Sequence, residues 1–238
     1  MTSNLATKLR EGTKKSHSMA EGTGFIACFL KGTVEKKSYR KLVNNLYFVY
    51  SAMEEEMHKH TDDPILSKIF FPELDRKAAL EQDLAFYYGA NWKEQVAPSE
   101  ATKKYIARIH EIADRDPALM VAHLYTRYMG DLSGGQILKK IAVNAMNLQD
   151  GEGTAFYEFE QISDEKAFKN NYRQVMNDLP IEGAKLDEVV DEANAAFDMN
   201  MVMFKELEGN LIKAIGMQLF NLLTRKRNRN DSELATAD

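Results

Sequence analysis

The chain has 238 residues and a mass of 27.1 kDa, with 44% hydrophobic and 28% charged residues, a composition that suits one soluble globular domain with a sizeable core. Its formal net charge of -5 gives no blanket attraction to nucleic acid, and its single cysteine, Cys28, excludes an internal disulfide and any cysteine-cluster metal site. No apolar run approaches the ~20 residues of a membrane span, and the opening MTSNLATKLREGTKKSHSMAEG lacks an apolar core after a basic start, so the expected setting is cytoplasmic and soluble.

Hydrophobic periodicity predicts helices throughout, near 4–20, 38–60, 75–88, 99–115, 118–147, 164–178, 182–208 and 210–224. No stretch alternates like a strand, so the expected fold class is all-α, with one catalytic domain over 1–224 and a polar tail over 225–238. That tail, RKRNRNDSELATAD, reads as a solvated end rather than a nucleic-acid signal. Pro64, Pro72, Pro98, Pro117 and Pro180 fall between the periodic runs, where the missing amide proton costs least.

The first predicted helix carries His17, with Glu21 four residues on. A neutral imidazole there can bind iron while the carboxylate orients its other nitrogen, directly or through water, although spacing alone reads as a surface histidine. Cys28, among Ile26, Ala27, Phe29 and Leu30, reads as a small core residue. In the second helix Leu42, Leu46, Val49, Met53 and Met57 form a buried stripe. Its end offers Glu55-x-x-His58, half of a ferritin-like di-iron motif; the second half is missing, so a solvated acidic helix end is the better reading. Ser99 is placed to cap the helix that follows it, and Ser163 the one near 164. His110 and His123 read as ordinary helical positions.

Between 125 and 140 the chain reads YTRYMGDLSGGQILKK. Glycine inside a helix costs about 1 kcal/mol relative to alanine, so Gly130, Gly134 and Gly135 call for a reason beyond packing. Gly130 and Gly134 leave two bare positions on one helical face, with Asp131 and Ser133 beside them, and a flat ligand could lie there. LSGGQ is also the signature string of ABC-type ATPases, but those need a phosphate loop and a parallel sheet, and no Gly-Lys pair or strand is present. No GxSxG elbow exposes a nucleophilic serine. Near the end, Leu186, Val189, Ala193, Phe197, Phe204 and Leu207 form a further helical stripe.

Together these segments resemble the heme oxygenase family over nearly the whole length. YTRYMGDLSGGQILKKIA resembles the family's distal helix and KLREGTKKSHSMAE its proximal helix, while YRKLVNNLYFVYSAMEEE, AFKNNYRQVMNDL and ANAAFDMNMVMFKEL follow in the family's order. The resemblance implies His17 as the axial ligand of heme b, with Glu21 as its outer partner. It implies a distal helix that crosses the porphyrin at Gly130 and Gly134, with Ser133 alongside. Arg10, Tyr125, Lys169 and Arg173 would hold the two propionates, though any one alone reads equally as a surface charge. Phe197, Asn200 and Phe204 would wall the pocket, or be plain core.

Catalysis would fall to Asp131, holding a water network that delivers a proton to bound oxygen, with Arg127 and Tyr50 in support and Gly130 pressing on the distal side. The reaction implied is cleavage of heme at a meso carbon to biliverdin, carbon monoxide and ferrous iron with O2. Heme would be substrate and cofactor at once. Lacking the membrane-anchoring tail of the animal members, the chain resembles the soluble bacterial or cyanobacterial type, for which a small acidic ferredoxin is the implied electron donor. Lys14, Lys15, Lys36, Lys37, Arg40, Lys139, Lys140 and Arg173 could form its docking face. A non-catalytic heme carrier or sensor, and a helical enzyme of this architecture acting on another small molecule, are the competing classes.

Overall fold

The computed structural model describes residues 4–149 and 151–208, and among the described residues there is no strand. The expected helix near 4–20 is two helices, α1 (Leu5–Gly12) and α2 (Lys14–Glu21). The break is at Thr13, whose hydroxyl donates to the Leu9 carbonyl at 2.7 Å and competes with the helical ladder. A short α3 (Gly24–Leu30) follows that periodicity did not reveal. In it Phe25 and Phe29 take the core positions, while Cys28 is only half-buried, a correction to its expected place in the core.

Helix α4 (Lys36–Lys59) opens at Glu35, whose carboxylate accepts from the Ser38 amide at 2.9 Å. Its predicted stripe of Leu42, Leu46, Val49, Met53 and Met57 is buried as expected. Each such side chain contributes about 1.5–3 kcal/mol on leaving water. That stripe makes α4 the central support: α6 (Lys77–Tyr88) and α7 (Glu100–Arg115) pack along it. Glu54 of α4 also caps α6, accepting from the amides of Arg76 at 2.6 Å and Lys77 at 3.0 Å. Burial pushes its carboxyl up to about 7, while those two amides act against the rise.

Helix α5 (Leu66–Ile69) sits beside α8 (Met120–Leu124) and α10 (Glu165–Asp178), and α10 packs on α1. Ser99 caps α7 as predicted. Asp164, not Ser163, caps α10, through the Ala167 amide at 2.9 Å.

The expected single helix over 118–147 is interrupted. After α8 comes a π-helical turn, Tyr125–Met129, and then α9 (Gly130–Met146), which α3 flanks and which ends at Asn147 in the left-handed conformation. Residues 184–208 form α11 up to the last described residue, with Leu186, Val189, Ala193, Phe197 and Leu207 buried and Phe204 partly so. The helix expected over 210–224 and the polar tail lie outside the described residues.

Candidate functional site

The site begins with an imidazole left in the open. His17 on α2 keeps 55% of its side chain exposed, and its Nδ1 is 3.7 Å from a Glu21 oxygen. That separation is too long for a direct hydrogen bond and suits one through water, so Nε2 is the nitrogen left for an incoming ligand. The imidazole stands edge-on to Phe197 of α11, with ring centroids 5.7 Å apart. Ala20 and Met201 pack around the same phenyl ring, which joins α2 to α11.

One turn along α11, Asn200 opens onto a different chemistry. Its side-chain oxygen accepts from Arg127 Nη1 at 2.9 Å, and its amide donates to the Ala196 carbonyl at 2.8 Å. Arg127 lies in the π turn; its Nε donates to the Tyr50 hydroxyl at 2.9 Å and its Nη2 is 3.6 Å from Asp131. Tyr50, fully buried on α4, donates its own proton to Asp131 in a short hydrogen bond. Burial pushes the Asp131 carboxyl up, against the Arg127 cation, the Tyr50 hydrogen bond and the more distant Arg76 cation. Tyr50 is pushed well above the usual phenol range, first by burial, so it remains a neutral donor. The result is a carboxylate locked in place by a phenol and a guanidinium, at the first turn of the glycine-bearing helix.

The glycines divide into two kinds. A side chain built at Gly130 or Gly134 would meet nothing within 4 Å, whereas at Gly135 it would stand 3.4 Å from the Tyr157 ring. Gly135 is therefore explained by packing, and Gly130 and Gly134 by open space with bare backbone on its wall. Ser133 lies exposed beside them.

Arg10 of α1, Tyr125 of the π turn and Arg173 of α10 come together. The half-buried Tyr125 phenol is pushed up by burial, and the Thr13 hydroxyl and the cations of Arg10 and Arg173 pull it back. Arg173 donates to Asn170 at 3.0 Å, while Lys169, one turn earlier, donates to the Leu132 carbonyl of α9 at 3.0 Å. Of the residues expected at an anion site, three thus share one neighbourhood and Lys169 is tied to the glycine-bearing helix.

Other groups escaped the sequence. His123, expected to be an ordinary helical position, is fully buried with its Nε2 3.0 Å from Glu192, which also takes Arg108. Arg76 and Asp83 are buried charged residues as well. Nothing periodic marks any of them, because their partners lie far along the chain. His58 sits 3.4 Å from Asp75 and Glu55 pairs with Lys59 at 2.7 Å; among the described residues no group of three metal-ligating side chains converges.

The heme oxygenase family model matches residues 3–206. Heme oxygenase 1 of a Nostoc species is 68% identical over 238 residues, all of both chains. The crystal structure of heme oxygenase-1 from the cyanobacterium Synechocystis in complex with heme superposes with a TM-score of 0.90 at 70% identity, covering 92% of this chain and 99% of that one. Heme oxygenase-2 from Synechocystis, in complex with heme and NO, superposes with a TM-score of 0.89 at 47% identity, covering 94% and 93%.

Proposed function

The chain belongs to the heme oxygenase family, and from that premise we propose how its own residues divide the work. The activity is oxidative cleavage of heme to biliverdin, carbon monoxide and ferrous iron, and heme is the ligand of the site. Heme supplies the iron at which oxygen is activated and is itself the molecule cut at a meso carbon. The residues fit such a group: an exposed imidazole on α2, an open volume over Gly130 and Gly134, and one turn of α11 joining the two sides through Phe197 and Asn200.

His17 would hold the iron through its free ring nitrogen, with Glu21 orienting the imidazole through the other. Arg10, Tyr125 and Arg173 hold the propionates, with Lys169 completing the set when it exchanges the Leu132 carbonyl for a carboxylate. Gly130 and Gly134, with Ser133 alongside, would let a flat ring lie against the main chain of α9. Phe197, edge-on to His17, would wall the same side of the pocket.

Asp131 is the residue that would relay the proton through ordered water. Its carboxyl group would orient water on the open side of the site, while Tyr50 and Arg127 prevent it from swinging and oppose the burial that raises its pKa. The observation that carries the reading is the open space over two bare glycines beside a carboxylate held from two sides.

The donor we propose is a small acidic ferredoxin. Lys14 and Lys15 lie exposed on the helix that bears His17, and Lys37 and Lys140 are exposed elsewhere on the same chain. Lys36, Arg40 and Lys139 are already engaged, the first two over aromatic rings and Lys139 with Glu158, so they contribute less to docking than the sequence suggests.

Titration with heme followed by a reductant in air tests the function. Formation of green biliverdin supports it; a stable complex that never bleaches makes the protein a carrier, and an unchanged heme spectrum removes heme altogether.

A further inference from the structure

Asp83 lies on α6, is none of the residues assigned a role above, and is only 1% exposed. Its two oxygens accept from consecutive backbone amides, Ala155 at 2.8 Å and Phe156 at 2.9 Å. Among the described residues those amides are its only hydrogen-bond partners, and no cation pairs with it. A buried carboxylate without a counter-ion opposes stability, so what it secures is orientation: two acceptors on two successive amides fix the pitch of a turn. One turn further along α6, the Tyr87 hydroxyl donates to the Gly153 carbonyl at 3.0 Å, and Gly153 has φ +64 with no room for a side chain against Tyr87.

The segment gripped in this way packs behind Tyr50 and against α9. The Phe156 ring stands edge-on to Tyr50, centroids 5.4 Å apart, and Tyr50 is the phenol that holds Asp131. The Tyr157 ring sets the distance to Gly135, and its carbonyl accepts from Gln136 at 3.1 Å. Glu158 pairs with Lys139 further along α9, while its carbonyl accepts from Arg76, whose guanidinium lies 3.9 Å over the Phe159 ring.

We propose that Asp83 is a positioning residue for heme cleavage: it holds the turn Ala155–Tyr157 so that Phe156 and Tyr157 fix the Tyr50–Asp131 pair and the start of α9. This rests on the reading that Asp131 and Gly134 border the heme. A turn held at two amides, rather than the loop packing at large, then sets the register between Asp131 and the ring edge it serves.

Asp83→Asn preserves shape but sets an amide group against one of the two backbone N–H donors, and Gln136→Ala cuts the far end of the same buttress at an exposed position. In the heme-free protein, Asp83→Asn should speed hydrogen exchange of residues 130–136 on the order of tenfold. In its ferric heme complex the midpoint of the pH-dependent Soret shift should move, and on turnover with a reductant in air biliverdin should appear as a mixture of isomers. Gln136→Ala should move each readout in the same direction by less, and decides alone if Asp83→Asn does not fold. Faster exchange confined to 153–159, with the wild-type midpoint and isomer, would overturn the proposal. The exchange experiment contains no heme, so it reads the buttress even where the heme assignment itself fails, a failure that wild-type protein would show by not binding heme.

Discussion

At the residue scale the site depends on what two side chains can and cannot do. His17 is exposed, and among the described residues its ring nitrogens make no direct hydrogen bond, the Glu21 carboxylate standing 3.7 Å away, so it could bind a metal without breaking a structural bond. His17→Ala should fold normally and still take up heme, but with the axial imidazole signature lost from its absorption spectrum. Free imidazole added to the buffer should restore that signature, and a variant whose spectrum matches the wild type without it would show that the ligand is another residue. Asp131 is the opposite case, held by Tyr50 and Arg127 on both oxygens. Asp131→Ala should bind heme as the parent does and lose biliverdin yield by roughly 10²-fold. Full yield of biliverdin would refute its role.

At the element scale the decisive feature is the change of helix type at residues 125–130. The π turn places Arg127 against Tyr50 and Asn200 while Asp131 starts the next helix, and an uninterrupted α-helix would point these residues differently. The open space at Gly134 gives a prediction whose two halves have opposite signs. Gly134→Ala should stabilise the heme-free protein by about 0.5–1 kcal/mol, because alanine is the better helix former and its methyl meets nothing within 4 Å. The same methyl should weaken heme binding and turnover. Calorimetry and heme titration read the two halves separately, and unchanged heme affinity would place the ligand elsewhere.

At the scale of the whole molecule, α11 is the element that ties the bundle together. Its Glu192 binds Arg108 of α7 at 3.0 Å and His123 of α8 at 3.0 Å. Burial alone would raise the Glu192 carboxyl, but the hydrogen bonds from His123 and Arg108 hold it at about 2, below the 4.5 of an ordinary glutamate. A carboxyl with a depressed pKa stabilises the fold fully above about pH 4.5 and loses that contribution as pH falls toward 2. Glu54, raised to about 7, acts in the opposite sense, its contribution shrinking as pH rises. Urea unfolding should show the wild type losing stability between pH 5 and 3. Glu192→Gln should be less stable at pH 7 by about 2–3 kcal/mol and nearly flat over that acid window. Equal slopes for the two proteins would exclude Glu192 as the source. Docking also belongs to this scale: turnover supported by an acidic ferredoxin should slow as salt rises, and the exchange of Lys14 and Lys15 for glutamate should slow it at low salt. Salt-independent turnover would remove the basic face from the account.

The sequence alone determined the helical class, because a period of 3.6 residues is written locally: the stripe from Leu42 to Met57 and that from Leu186 to Leu207 needed no partner to be recognised. It also exposed the glycines of 130–135 as a contradiction with their helical surroundings, and the breadth of the family resemblance singled out His17, Asp131 and the cationic residues. Only the tertiary structure decided which glycines border space and which meets Tyr157, that Arg127 serves Tyr50 and Asn200, and that Lys169 bonds a carbonyl. The same holds for Asp83, Arg76 and the Glu192 cluster, buried charges whose partners lie 69 to 84 residues away in most of their contacts. The physical reason is one of range. Backbone preference and amphipathic period act over a few neighbours and can be read along the chain, whereas burial and charge pairing arise only when distant helices have packed.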